Sequence, residues 1–195
     1  MAVVRAGLLD SLRTFVSTPT GTGKTFLAEL KIAHEISENP QGLIAYVAPL
    51  NALARQVHRD FQRRLPAVAQ VTLWTGAYEI DETVSDLGNV LVTTPEKLDS
   101  ILRLDLADDP RSRDLLDRLT LVIADEAHQV ADGSRGILYE FLLLRVKRRL
   151  PSVGMLALSA VQSDPHPFAR FLQLPDVDAG LHQVEWSATT VWDLL

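Results

Sequence analysis

Nine residues, Ser17-Thr18-Pro19-Thr20-Gly21-Thr22-Gly23-Lys24-Thr25, constrain this chain more than any others. They follow the short apolar run Phe15-Val16 and open the helical pattern Phe26-Leu27-Ala28-Glu29-Leu30. A strand, a glycine-punctuated turn and a helix starting at lysine and threonine is the layout of a phosphate-binding loop. Gly21 and Gly23 permit backbone conformations closed to other residues, so amide N–H groups approach an anion closely. The helix N-terminus adds roughly half a positive charge at the same place. Within Thr20, Gly21, Thr22, Gly23, Lys24 and Thr25, the lysine would reach the β- and γ-phosphates of a nucleotide. The Thr25 hydroxyl would take a Mg²⁺ coordination position. The loop departs from the usual pattern at Thr18, where glycine or alanine is common.

The remaining chain is organised as repeated strand and helix. Leu43-Ile44-Ala45-Tyr46-Val47-Ala48 is apolar without alternation, the pattern of a strand buried on both faces under helices. Pro49 ends it, and Asn51 is expected to cap a helix running to about Leu65. Further strands are expected at Arg13–Ser17, Val71–Trp74, Val90–Thr93, Leu121–Ala124, Val153–Leu158 and His182–Trp186. Helices are expected over Lys24–Ser37, Pro95–Leu104, through Leu115, Leu116 and Leu119, over Arg135–Leu150 and around Phe168–Leu172. The first helix is expected to bury Leu27, Leu30 and Ala33 or His34. A short helix through Leu8, Leu9 and Leu12 is expected ahead of the first strand. This alternation specifies an α/β fold with a parallel sheet flanked by helices on both faces. With neither internal repeat nor linker legible, residues 1–195 are expected to form one domain.

Composition narrows the class. At 195 residues, 47% apolar and 23% charged, the chain is long enough for a sizeable core. It contains no cysteine, which excludes disulfides and thiolate metal sites. His34, His58, His128, His166 and His182 show no metal-ligand spacing. A net charge of −6 argues against a protein that coats nucleic acid with a basic surface, although a local cationic groove remains open. The start lacks a signal-peptide pattern and no run is long enough to span a bilayer, so an intracellular, cytoplasmic location is expected.

In a parallel α/β sheet, ligands sit at the carboxyl ends of the strands. Thr18, Pro49, Thr75, Thr94, Asp125 and Ser159 all fall at such ends. Each alone reads as a helix cap; six together with a phosphate loop read as a site. An aspartate closing an apolar strand, as Asp125 does, holds the Mg²⁺ that bridges nucleotide phosphates. Glu126 beside it has the chemistry to orient and deprotonate an attacking water. The candidate catalytic set is therefore Glu126, Asp125 and Lys24, with Thr25 and Asp125 as metal ligands.

Five segments occur in a telling order: Thr18–Thr25, Pro49-Leu50-Asn51-Ala52-Leu53-Ala54, Thr94-Pro95-Glu96-Lys97-Leu98-Asp99, Asp125-Glu126-Ala127-His128 and Ser159-Ala160-Val161. They resemble motifs I, Ia, Ib, II and III of superfamily 2 helicases of the DExH type. The resemblance covers about Arg13 to Leu172 and is to the first RecA-like lobe, a P-loop NTPase fold. Pro49–Ala54, Thr94–Asp99 and Asp132-Gly133-Ser134-Arg135-Gly136 with Glu140 are most similar to the Ski-like branch. The resemblance implies binding and hydrolysis of ATP with Mg²⁺. It also implies that His128 and Ser159 couple the nucleotide to a nucleic-acid site. Pro49, Leu50, Arg55, Thr75, Gly76, Thr94, Pro95 and Lys97 would contact one strand of DNA or RNA, through helix N-termini and hydroxyls that hold phosphates without reading bases.

Three departures bound what carries over. Val161 stands where threonine is usual, no glutamine-containing adenine motif precedes the loop, and motifs IV to VI are absent. A second RecA-like lobe, in cis or in trans, would be the partner that supplies an arginine finger. Two rivals compete with an ATP-dependent motor. A GTP-using enzyme is disfavoured because Glu96-Lys97-Leu98-Asp99 has the wrong first residue and precedes the metal-binding strand. A non-catalytic scaffold derived from such a lobe is the other, opposed by intact Lys24, Thr25, Asp125 and Glu126.

Overall fold

The computed structural model describes residues 7–19, 21, 23–76, 87–104, 110–131, 133–160 and 181–183. In chain order these form β1 (Arg13–Ser17), α1 (Lys24–Glu38), β2 (Leu43–Val47), α2 (Asn51–Arg64), β3 (Val71–Trp74) and β4 (Val90–Thr93). Then come α3 (Pro95–Leu104), α4 (Pro110–Arg118), β5 (Leu119–Ala124), a 3₁₀ turn (Ala127–Ala131), α5 (Gly133–Arg149), β6 (Gly154–Ser159) and β7 (Leu181–Gln183). The strands make one seven-stranded sheet in the order β3-β4-β2-β5-β6-β1-β7. Every pairing is parallel.

Period-two alternation assigns each strand side chain to one of two apolar layers. In β2, Leu43, Ala45 and Val47 face one layer, while Ile44 and Tyr46 face the other. The first layer is closed by Leu98, Ile101 and Leu102 of α3, Leu115 and Leu116 of α4, and Tyr139, Leu142, Leu143 and Val146 of α5. The second is closed by Ala28, Ile32 and Ile36 of α1 and Ala54, Val57 and Phe61 of α2. Helices thus cover both faces, and the interior strand β2 is buried along its whole length, as its apolar run requires.

Several local expectations shift. The buried face of α1 is Ala28, Ile32 and Ile36 with Lys24 and Lys31, rotated from the Leu27/Leu30/Ala33 face. Small Ala28 gives the helix its close approach to the sheet, while Leu27 packs only at the margin. The cap of α2 is Leu50 in an extended conformation, with no side-chain hydrogen bond, and Asn51 is already helical. Leu119 belongs to β5, not to the preceding helix. Residues 7–10 form a turn closed by Ser11 N–H to Gly7 O at 3.0 Å, not the helix expected through Leu8, Leu9 and Leu12, because Gly7 takes a positive φ and the chain enters β1 at Arg13; the helix expected around Phe168–Leu172 lies outside the described residues. Strand β7 is three residues long and starts one residue before the expected His182. No helix among the described residues is long and apolar enough to cross a membrane.

Candidate functional site

Because all strands are parallel, their carboxyl ends share one edge, and the strand order divides that edge in two. The ends of β5, β6 and β1 carry Asp125-Glu126, Ser159 and the phosphate loop; those of β3, β4 and β2 carry Thr75-Gly76, Thr94-Pro95 and Pro49-Leu50. The seam between the halves is the β2–β5 pair, with Val47 in register with Ala124.

On the first half, a cleft of about 310 Å³ is lined by Gly21, Gly23, Lys24, Thr25, Asp125 and Glu126. Gly21 (φ 82°) and Gly23 (φ 92°) both adopt the left-handed backbone region, and neither would meet a close neighbour if a Cβ were added. It is the backbone angle that selects glycine here. Gly23 also stands as the N-cap of α1 without a side-chain cap, so the first amides of that helix face the cleft with no protein side chain at the cap. Lys24 is 8% exposed, its Nζ 3.4 Å from Thr18 O. Thr18 N–H in turn donates to Ser159 O at 3.1 Å, which fixes the loop's entry to the end of β6. Thr20 and Thr22 lie outside the described residues.

Asp125 is 7% exposed and held from three directions. Its backbone N–H donates to Val47 O at 3.0 Å, Tyr46 Oη donates to Oδ2 at 2.7 Å, and Glu126 N–H donates to Oδ1 at 2.9 Å. Tyr139 Oη donates to the Asp125 carbonyl at 2.7 Å and lies a longer 3.3 Å from Val47 O; with one hydrogen to give, the shorter contact is the bond. Burial pushes the Asp125 carboxyl above its ordinary value, with the Glu126 charge acting the same way, while the Tyr46 bond and the Lys24 charge oppose it. Burial, reinforced by the Asp125 charge, holds the Tyr46 and Tyr139 hydroxyls well above the ordinary tyrosine value, so both stay protonated donors. The oxygen-only donor set of Thr25 and Asp125 on one cleft suits Mg²⁺, which takes one or two carboxylates and completes its octahedron with phosphate and water.

Glu126 is the one positive-φ non-glycine residue among those described (φ 48°), a conformation that turns its side chain out of the strand line. Its Oε2 is buried without a hydrogen-bond donor among the described residues. His128 Nδ1 lies 3.3 Å from that oxygen and 3.3 Å from Ala160 N. The Ala160 N–H can only donate, so Nδ1 is the acceptor in that contact; the carboxylate contact is an ion pair only when the ring is protonated. The hydroxyls of Ser159 (2.8 Å) and Ser17 (3.1 Å) both donate to Ala160 O. The link from His128 to the β6 end therefore runs through the Ala160 N–H, with Ser159 and Ser17 holding the carbonyl of the same residue. Val161 lies outside the described residues.

On the second half, Leu50 (45% exposed), Arg55 and Gly76 face solvent. Thr75 and Thr94 are buried, so a strand approaching those positions would meet backbone rather than hydroxyls. Pro95 is buried at the start of α3. Lys97 Nζ sits 4.9 Å over the Trp74 ring, a cation–π contact that pins it at the carboxyl end of β3.

Two groups were not singled out from sequence. Tyr46 and Tyr139 are one; their signal was a lone hydroxyl inside apolar stretches, which must find a partner when buried. The other is the far wall of the cleft, formed by Phe26 of α1 and Leu53, Gln56, Val57, Asp60 and Arg64 of α2. Arg64 pairs with Glu29 of α1 at 3.4 Å across that wall.

The family described as DEAD/DEAH box helicase matches residues 2–166. The chain belongs to that family. It is 32% identical over 193 residues to an ATP-dependent DNA helicase Hel308 of Methanocella arvoryzae, covering 96% of this chain and 24% of that protein. It is 29% identical over 176 residues to the Hel308 of Methanococcus vannielii, covering 87% and 22% respectively. The chain thus spans about a quarter of the length of these relatives. Among solved structures, the Hef helicase domain of Pyrococcus furiosus superposes with a TM-score of 0.70 at 22% identity, over 94% of this chain and 37% of that one. The DUF1998 helicase MrfA, bound to DNA and AMPPNP, gives 0.71 at 20% identity, over 95% and 26%. These two support the fold: the RecA-like arrangement expected from the motif order.

Proposed function

We propose that this chain is the ATP-binding lobe of a nucleic-acid-dependent ATPase of the helicase type, in the Ski-like branch. The observation that carries the reading is the convergence of Lys24, Thr25, Asp125 and Glu126 on one cleft beside a positive-φ glycine loop. The loop amides and Lys24 bind the β- and γ-phosphates. The Thr25 hydroxyl and Asp125 carboxylate would hold Mg²⁺, which would offset the charge on the phosphate oxygens. Glu126, whose buried Oε2 has a free acceptor site, orients water and takes its proton. One strand of DNA crosses the other half of the edge, near Leu50, Arg55, Gly76 and Lys97, held through its backbone. That the named Hel308 relatives are DNA helicases favours DNA over RNA. Efficient turnover requires a second RecA-like lobe, since an arginine finger contributes roughly 10³–10⁵ in rate in related phosphoryl-transfer enzymes.

Titration calorimetry of MgATP into this chain and into Lys24→Ala tests the reading. The unaltered chain is expected to bind and the variant to bind at least about tenfold more weakly. Equal affinities, or no binding by either, would end it.

A further inference from the structure

The second strand and helix of the fold touch both halves of the carboxyl edge, and nothing in the motif reading uses that fact. Strand β2 lies at the seam between the halves, paired to β4 on one side and β5 on the other. At its end, Pro49 and Leu50 open α2 on the half assigned to the nucleic-acid strand, with Leu50 45% exposed and Arg55 exposed one turn on. The same helix turns Leu53, Gln56 and Asp60, at spacings of three and four residues, into the cleft shared with Lys24, Thr25, Asp125 and Glu126. From inside the sheet, Tyr46 Oη donates to Asp125 Oδ2 at 2.7 Å. The Tyr46 ring meets Phe61 of α2 edge-to-face, centroids 5.1 Å apart at 89°, and both side chains are fully buried. Strand and helix are thereby linked: a displacement of α2 would reach the metal-binding carboxylate through one aromatic contact and one hydrogen bond.

We propose that the β2–α2 unit couples strand binding to nucleotide binding, with Tyr46 and Gln56 as its positioning residues on the nucleotide side. This rests on the reading of the preceding subsection. It adds a route distinct from the one through His128 and Ala160, which is the route that Val161, in place of the usual threonine, leaves with one hydroxyl fewer. Tyr46 orients the Oδ2 lone pair of Asp125, and its hold depends on where Phe61 stands. Gln56, exposed on α2, offers an amide to the occupied cleft only when the helix is in register with it. Nucleic acid seated on Leu50 and the first turn of α2 fixes that register. Linkage then requires the effect to be reciprocal, nucleotide tightening the strand by the same factor.

The test measures the dissociation constant of MgATP for this chain with and without a saturating oligothymidylate. It is repeated for Tyr46→Phe, which keeps the ring and deletes only the hydroxyl, and for Gln56→Leu, a change at an exposed helix position. Gln62→Ala, exposed on α2 outside the cleft, is the control. The unaltered chain and the control are expected to show a coupling factor in the usual range of about 5- to 150-fold. Tyr46→Phe and Gln56→Leu are expected to bring it below about twofold. An undiminished factor in both variants overturns the proposal, as does an unaltered chain that binds MgATP without any effect of the oligonucleotide. That last outcome leaves the ATP site standing. Failure of the unaltered chain to bind MgATP at all removes the ATP-site reading and this proposal together.

Discussion

At the scale of single residues, the chain keeps a carboxylate where burial disfavours it. Asp125 has its pKa raised from the ordinary 3.8, chiefly by burial, because its negative charge is shut away from water with only hydrogen bonds and the Lys24 charge to offset the loss. A carboxyl whose folded pKa lies above its unfolded value lowers stability as pH rises from the unfolded value through the folded one. Below that window the group is neutral in both states and the penalty vanishes. Asp125→Asn keeps an acceptor for Tyr46 Oη and removes the charge, losing only the acceptor for Glu126 N–H, a smaller cost than burying the charge. The variant is expected to melt a few degrees above the unaltered chain at pH 7.5, at roughly 2–4 °C per kcal/mol for a chain of this size. The gap is expected to close toward pH 4, and MgATP binding to be lost throughout. Differential scanning fluorimetry across pH checks this, and a variant that melts lower at pH 7.5 refutes it. The loop and Asp125-Glu126 were legible in sequence because their chemistry needs fixed residue types at fixed spacing. Tyr46 was not, since a tyrosine in an apolar run reads as core until the strand register shows which carboxylate its hydroxyl reaches.

At the scale of elements, the strands from β1 to β6 were legible to within one or two residues, since most are short apolar runs closed by a polar or proline residue. Helix faces and ends were less so. The buried stripe of α1 depends on how the helix rests on the sheet, and the cap of α2 is Leu50, itself extended, rather than Asn51. Nothing local marks the clamp between α3 and α5. Asp99, 2% exposed, accepts from Arg103 one turn on at 2.7 Å and from Arg145 of α5. The two pairs are unequal. Arg103 is 58% exposed, and an exposed i,i+4 pair contributes only about 0.3–0.5 kcal/mol. Arg145 is 27% exposed, and deleting its buried partner leaves a charge that water only partly recovers. Asp99→Ala is therefore expected to cost about 3 kcal/mol, the low end for breaking a buried pair. Double-mutant cycles in urea should give a coupling above about 1 kcal/mol for Asp99 with Arg145 and below about 0.5 kcal/mol for Asp99 with Arg103. Equal couplings would mean that α3 is held by its own turn rather than by α5.

At the scale of the molecule, the sheet order explains why the strand that delivers the phosphate loop is interior. Strand β1 lies between β6 and β7, and β7 pairs with Phe15, Val16 and Ser17, the residues directly before the loop. The sequence suggested a strand near residue 182 without a partner for it, because so short a strand, more than twenty residues beyond β6, carries no pairing signal of its own. A chain ended after Ala160 turns β1 into an edge, strips one side of its backbone groups of partners and exposes a template for association. Each lost backbone bond costs about 0.5–1.5 kcal/mol, so the shortened chain is expected to melt on the order of 5 °C lower and to self-associate at high concentration. Its affinity for MgATP is expected to fall as well, because the loop is anchored through Ser17, Thr18 and the β6 end. Lys24→Ala separates the two effects: it weakens MgATP binding by removing a phosphate ligand while β7, the sheet and the melting temperature stay as they are. Sedimentation, thermal melting and calorimetry on the two variants side by side distinguish them. A shortened chain that melts and binds like the full one would show that β1 needs no neighbour beyond β6 to hold the loop.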